Sequence, residues 1–400
     1  MDARARFLAS MGGSSPDRPF WLHPWLWGAT LERWHAEGLP RDVDVETHFG
    51  TDRREVAPIH LGLLPAFDEE VLFEVRDGHV HRSTVFGTRL PEGMGETGAA
   101  GEPYRIRRRG EGQVIREFYR RPDLTMPQWL DYSLRNRDDW EREFVPRLDP
   151  HSPARYPLWW EDYVRDVADR DYPLGISAGS LFGWLRNWIG YEQLSFMLYD
   201  APSFVQEMAD YLAYFISETI REACRRIRFD FALMWEDMAM KTGPLCSPKH
   251  FARFFVPGYR RITEVLHSNG IDVVMVDSDG QIDELVPLWL DAGVTGVYPL
   301  EVAAGVDAVA LRRRFGPRLH LWGNMDKRVL SLGPAAIDRE VLGKVPWLLT
   351  QGGYLPWIDH LVPPDVPLAH YEHYWALIRR VGADPERGLA DARAGGYWAD

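Results

Sequence analysis

FALMWEDMA (231–239), HFARFFVPGYRRITEVLHSNG (250–270), IDVVMVDSDG (271–280), IDELVPLWLDAG (282–293) and TGVYPLE (295–301) follow one another almost without a gap. Short apolar runs alternate there with longer amphipathic stretches, and two of those stretches stop on glycine. Strands alternating with helices of this length imply parallel βαβ units. The pattern extends in both directions. Upstream, YPLGISAG (172–179) is a strand leading into a helix through WLRNWIGYEQLSFMLYD, and 203–227 is one long amphipathic helix. Downstream, VDAVALRRRFG is a helix, LHLWGNMD a strand, 334–353 helical with closing glycines, and GGYLPWIDHLVPP the last strand and its loop. Six strands stand out, and their extrapolation to eight favours a (β/α)8 TIM barrel over a doubly wound sheet.

Every strand ends in polar residues. Ser177 and Ser180 follow the first; Trp235-Glu236-Asp237, Asp277-Ser278-Asp279-Gly280, Glu301, Asn324-Met325-Asp326 and Asp359-His360 follow the others. In a barrel these ends meet at one mouth, where the active sites of this fold lie. So many carboxylates cannot all ionise at close quarters. Either some hold their protons to higher pH, or a metal or cationic ligand sits among them. Asp277 and Asp279 share a face of an extended segment. With His360 and Glu236 they make a mixed oxygen/nitrogen set suited to a divalent metal. Glu236 and Asp237 are also an acid/base pair by type, and Asn324 is a further catalytic candidate. Asp326 suits a helix cap. Trp235, Trp322, Trp357, Glu301 and Tyr354 are the candidate substrate contacts.

The first 150 residues read differently. Phe20–Trp34 is Trp-rich and suggests a short helix before Gly38-Leu39-Pro40. EVLFEVRDGHVHRSTVFGTRL (70–90) places Asp77-Gly78 at a hairpin turn, a Gly-rich loop covers 96–102, and QVIREFYRR (113–121) is another β-like run. The expected organisation is a Trp-rich, hairpin-bearing elaboration over 1–150, packed on a barrel over 151–385, with a tail at 386–400. The chain has 400 residues, with 46 Lys+Arg against 59 Asp+Glu and a net charge of −13. That balance argues against nucleic acid as the main partner. Cys224 and Cys246 form no CxxC, no run suits a membrane span, and MDARARFLASMGG is too weakly apolar for a secretory signal, so a cytoplasmic setting is expected. With 17 Trp, 16 Tyr and 18 Phe, both aromatic packing and an aromatic-walled pocket are expected. Exposed Trp suggests a partner surface, such as that of a homodimer.

In order along the chain, Gly190-Tyr191-Glu192, Leu198 to Pro202, Glu236-Asp237-Met238-Ala239 with Gly243-Pro244 and Ser247-Pro248, Phe255 to Tyr259, Gly323-Asn324-Met325-Asp326, and Gly352-Gly353-Tyr354 with His360 and Pro363-Pro364-Asp365-Val366-Pro367 resemble the uroporphyrinogen decarboxylase superfamily. The resemblance runs from about Pro173 to Val381. It implies a TIM barrel and one of two chemistries. One is cofactor-free decarboxylation of acetate side chains on uroporphyrinogen; the other is methyl transfer to a corrinoid, usually with zinc. The Arg-rich N-terminal motif of the decarboxylases is absent where the chain reads Pro19 to Trp25. The zinc-binding H-x-C of the thiol methyltransferases is Asp277-x-Asp279 here, and His360 stands in place of their last Cys. The segments Trp27 to Pro40, His48-Phe49-Gly50, Met126-Pro127, Asp138-Asp139-Trp140 and Arg155-Tyr156-Pro157 resemble a poorly characterised branch closer to the methyltransferases. The resemblance therefore implies a metal-assisted demethylase passing a methyl group from a small substrate to a corrinoid on a partner protein. The alternative is a cofactor-free decarboxylase in which Asp237 or Asp277 supplies the proton and His360 orients the substrate. An anionic mouth would count against that alternative unless Arg186 or Lys241 lines it.

Overall fold

The computed structural model describes residues 1–76, 79–82, 104–118 and 127–398. Its strands in chain order are β1 (Glu55–Val56), β2 (Glu70–Arg76), β3 (His79–Arg82), β4 (Tyr104–Arg108), β5 (Val114–Phe118), β6 (Gln128–Asp131), β7 (Leu174–Ser177), β8 (Phe231–Trp235), β9 (Ala239–Met240), β10 (Gly243–Pro244), β11 (Val273–Asp277), β12 (Gly296–Tyr298), β13 (His320–Met325) and β14 (Tyr354–Ile358). Seven of them form one curled parallel sheet in the order β1-β7-β8-β11-β12-β13-β14. The six strands read from the sequence are all there, and the sheet is that of a TIM barrel.

The ring is completed from the N-terminal side. Leu26 bridges Val362 in parallel. The Val362 amide donates to Trp25 (2.7 Å), the Asp52 amide donates to Trp21 (3.0 Å), and Trp357 Nε1 donates to the His23 carbonyl (2.9 Å). Residues 20–26 thus run extended between β14 and β1, and the helix expected over Phe20–Trp34 is confined to Gly28–Glu37. The barrel sheet draws on both sides of residue 150. The segment 386–400 carries most of a helix, Pro385–Ala394, whose Leu389 and Ala392 are buried.

Two long helical stretches are each broken once. The 250–270 stretch divides into Pro248–Phe254 and Val256–Ser268, because Pro257 lacks an N–H and crowds the turn before it. The 334–353 stretch divides at Gly343-Lys344 ahead of Pro346. The helix Pro202–Cys224 buries Val205, Met208, Ala209, Leu212, Phe215, Ile216 and Ile220 at three- and four-residue spacing, which is the stripe an amphipathic helix lays on a sheet.

The lumen has its own core. Phe231, Val273, Met275, Trp322, Leu355 and Trp357 point into it, joined by Phe7, Met11, Phe20 and Leu22 from the N-terminus. The helix Ala3–Gly12 stoppers the lower end. Phe7 packs on Phe231 (5.2 Å between ring centroids) and Trp322 (6.0 Å), and Trp322 Nε1 points at Met11 Sδ (3.3 Å). Gly175 on β7 admits the Phe231 ring, since a Cβ there would lie 2.2 Å from it. Buried ion pairs tie the stopper down. Asp52 holds Arg6 (2.7 Å) and Arg18 (2.6 Å), while Asp230 holds Arg4 (2.9 Å) and Arg170 (2.8 Å).

The sheet β3-β2-β4-β5-β6 is antiparallel and separate. Arg76 pairs with His79, so β2 and β3 form the expected hairpin, although its Asp77-Gly78 turn, the 96–102 loop and Met126 lie outside the described residues. No helix among the described residues is long and apolar enough to cross a membrane.

Candidate active site

The mouth is built where β7, β8, β11, β12, β13 and β14 end. Glu236 leaves β8 fully buried and turns back into the wall. Its carboxylate accepts from Ser180 Oγ (3.0 Å), the Leu181 amide (2.9 Å), the Gly183 amide (2.8 Å) and Tyr259 Oη (2.6 Å). Two of these donors belong to the first turn of the helix Phe182–Ile189, whose unpaired N–H groups favour a carboxylate. Gly183 is what allows the approach, because a Cβ there would lie 2.6 Å from the Glu236 carbonyl. Burial raises the Glu236 pKa against the pull of these donors. All four acceptor positions are taken, so Glu236 is a wall strut with no lone pair for a metal in the mouth.

Asp277 is the contrast. Its backbone carbonyl accepts from the Glu236 (2.8 Å) and Asp237 (3.1 Å) amides, locking the two turns together. No hydrogen bond from a described residue reaches its carboxyl. Burial, then the charges of Asp279 and Asp237, push its pKa well above the carboxylate range. Asp277 therefore stands in the lumen with its carboxyl shifted toward the protonated form.

The other two carboxylates have partners. Asp237, at φ 43°, faces Arg186 at 3.3 Å, and Arg186 also donates to the Asp237 carbonyl. Burial raises the Asp237 pKa; Arg186 opposes it. Asp279 Oδ2 lies 3.4 Å from His360 Nε2. The turn carrying Asp279 is fixed by the Gly280 amide donating to Glu301 (3.0 Å) and the Met238 amide donating to Ser278 Oγ (3.0 Å). His360 stacks on Trp25 (5.5 Å, 25°), which stacks on Trp357 (5.5 Å, 14°). Trp235 is partly exposed beneath the Arg186 guanidinium (5.5 Å). Trp322 lies below, in the floor.

Two other candidates turn away from the mouth. Asn324 is sealed, donating to Leu300 (2.9 Å) and Val306 (2.8 Å) and accepting from the Ala308 amide (3.1 Å). Tyr354 points to the helix layer and donates to the Gly323 carbonyl (3.0 Å). Asp326 is no helix cap, since Arg328 precedes the helix Val329–Leu332; it accepts from the Arg328 amide (2.9 Å) and pairs with the Arg328 guanidinium (2.8 Å). Lys241 is exposed on the turn between β9 and β10.

The expected metal set Glu236, Asp277, Asp279 and His360 is not assembled. Among the described residues no group of three or more His, Cys, Asp or Glu side chains is placed to hold a metal ion. The physical reason is Glu236, which is committed to the wall. Nor does a thiolate replace it, since Cys246 is buried and burial pushes its thiol up to about 12. The expectation of a strongly anionic mouth is corrected as well. Asp237 pairs with Arg186, and Asp277 is shifted toward its protonated form.

Sequence reasoning passed over four residues at this level. His23 and Trp25 come from the closing segment, and Tyr298 ends β12. Burial, then Asp277, raises the Tyr298 pKa well above the phenol value. The fourth, Arg54, immediately precedes β1. Recognising Arg53-Arg54-Glu55-Val56 as extended would have placed alternate residues on opposite faces.

A parallel barrel with polar strand ends gathered at its C-terminal face defines the class of TIM-barrel enzymes. Residues 130–381 match the family model for uroporphyrinogen decarboxylase (URO-D), and the chain belongs to that family. Among curated relatives, the uroporphyrinogen decarboxylase of Maricaulis maris is 33% identical over 132 residues, covering 32% of this chain and 36% of that protein. The one from Pseudomonas aeruginosa is 26% identical over 197 residues, covering 47% and 51%. The matches thus span about a third to a half of these relatives. A methyltransferase from Methanosarcina mazei shares the fold, with TM-score 0.52, 14% identity and 99% of both chains covered.

Proposed function

We propose that this chain is a cofactor-independent carboxy-lyase acting on a small organic acid in the barrel mouth. The observation that carries this reading is Asp277, a carboxyl at the lumen end of its strand with two carboxylates acting on it and no described hydrogen-bond donor upon it, which shifts it toward the protonated form. In the reaction the bond from the substrate carbon to its carboxylate breaks and carbon dioxide leaves. The electron pair stays on carbon and takes the Asp277 proton, and Asp277 is reprotonated from water. Asp237 and Asp279 keep the proton on Asp277 until that moment, since their negative charge disfavours a third carboxylate. Arg186 and His360 hold those two in place. Membership of the decarboxylase family supports the reaction class.

A second reading is methyl transfer from a small methylated substrate to a corrinoid on a partner protein, favoured by the likeness to the Methanosarcina methyltransferase over the whole chain. Asp277 would then protonate the leaving oxygen or nitrogen. Of the donors expected for a divalent metal such as zinc, Asp279 and His360 lie side by side (3.4 Å) and Glu236 is committed to the wall.

Carbon dioxide release from a panel of small organic acids, measured beside demethylation with a reduced corrinoid acceptor and metal content by mass spectrometry, tests the proposal. Carbon dioxide release abolished in Asp277→Asn supports the lyase. Stoichiometric metal lost in both Asp277→Ala and His360→Ala, with methyl transfer and no carbon dioxide, replaces it with the second reading.

A further inference from the structure

Arg53, Arg54 and Glu55 enter β1 in extended backbone. Arg53 and Glu55 point outward as a pair (2.9 Å from Arg53 Nε), with Arg53 over the Tyr172 ring (3.8 Å). Arg54 points the other way, into the lumen. Its guanidinium lies over Phe231 (5.7 Å) and Trp322 (5.6 Å), the two rings that rest on Phe7 of the stopper helix. The neighbouring Asp52 is saturated by Arg6, Arg18 and the Trp21 amide. Among the described residues no carboxylate pairs with Arg54 and no acceptor takes a hydrogen bond from it. Its charge reaches His23 and Tyr298, and burial lowers its own pKa. An arginine with five donors and no acceptor, set in aromatic surroundings, is a costly arrangement that an anion would relieve.

We infer that Arg54 anchors a second, retained anionic group of the substrate, and that the substrate is a small planar or apolar molecule bearing two acidic groups. This rests on the carboxy-lyase reading for the identity of the first group. The leaving carboxylate becomes neutral carbon dioxide, so a cation on it would favour the bound substrate over the transition state. The group that keeps its charge gains from Arg54 at every stage. The two acidic groups thus divide between the floor, where Arg54 lies, and the level of Asp277. Trp25 and Trp357 stack near the mouth and Trp322 lies on the floor side beside Arg54, and the stopper helix limits the depth. This anchor is separate from the Arg-rich motif of the decarboxylases, whose place is taken here by Pro19 to Trp25.

The test uses the full chain and benzoate as the probe for the retained group, with benzamide as its neutral counterpart. Tryptophan fluorescence and calorimetry follow binding to wild type, Arg54→Met and Asp277→Asn. Wild type is expected to bind benzoate at least about tenfold more tightly than Arg54→Met, the loss of one charge-assisted hydrogen bond. Benzamide is expected not to distinguish the two. Arg54→Met is also expected to melt at a higher temperature than wild type, because it removes an unpaired cation. Equal benzoate binding by both proteins, or none by wild type, overturns the inference. So does a lower melting point of Arg54→Met without loss of benzoate, which would make Arg54 a packing residue. Asp277→Asn is expected to keep its benzoate affinity, so a failed lyase assay and a failed anchor give different results.

Discussion

Two carboxylates leave neighbouring strands at the same level of the barrel, Glu236 after β8 and Asp277 at the end of β11, and their surroundings are opposite. Glu236 sits in a wall that supplies four donors and no open space. Asp277 sits in a lumen that supplies aromatic surface, like charges and no described donor. The wall spends its carboxylate on holding the helix Phe182–Ile189 to the sheet. The lumen shifts its carboxyl toward the protonated form and leaves it available. Strand-end position is common to both residues, so position alone does not separate a strut from an acid.

The largest expected effect tests the lumen side. Asp277→Asn keeps the shape and removes the transferable proton, so kcat on a turned-over acid should fall by about 10²–10⁴-fold, the range of general acid catalysis. Substrate binding should stay within a few-fold, and a matching loss in Glu236→Gln would erase the distinction. The wall is probed next. Glu236→Ala strands Tyr259, Ser180 and two helix amides, and urea unfolding should show a loss of about 3–5 kcal/mol. Asp277→Asn in the same experiment should lose nothing.

A smaller effect is a slope in stability with pH. Asp277 holds its proton to higher pH in the folded chain than in the unfolded one, where it is an ordinary carboxyl. Between those two values the folded state binds more protons, so stability falls as pH rises through that window. Melting temperatures of wild type and Asp277→Asn should therefore converge under acid conditions. Toward neutral pH the variant should become the more stable of the two. Asp237 adds a slope of the same sign, and parallel pH curves for the two proteins would count against a raised Asp277. The smallest effect concerns the turn that joins wall to lumen. Asp237 has φ 43°, so Asp237→Gly should change stability by less than about 1 kcal/mol while Asp237→Val costs more, as equilibrium unfolding would show.

Much of the fold was legible because strands covered on both faces by helices read as unbroken apolar runs; VVMV before Asp277 is one. The closure of the ring was not. β1 has two residues, and 20–26 carries Trp and Pro without a period, so neither announces a strand. In the site, Asp237, Asp277, Asp279 and His360 were found by position. Glu236 and Asn324 shared that position but face elsewhere, because turns with left-handed residues such as Asp237 and Asn324 (φ 65°) redirect the chain within one peptide, and Tyr354 opens β14 rather than ending it. Arg54 stayed hidden because it precedes a strand of two residues and reads as part of a charged loop.

The bridge between Leu26 and Val362 has a bearing on how the molecule comes into being. Leu26 leaves the ribosome long before Val362 does. Until the last strand and the loop after it have emerged, Trp21, Trp25 and the stopper helix lack the neighbours that cover them, and the floor and the mouth exist only as separate halves. A nascent chain of this protein therefore carries its tryptophan-rich seam uncovered until that loop has emerged, and only then can the lumen be assembled.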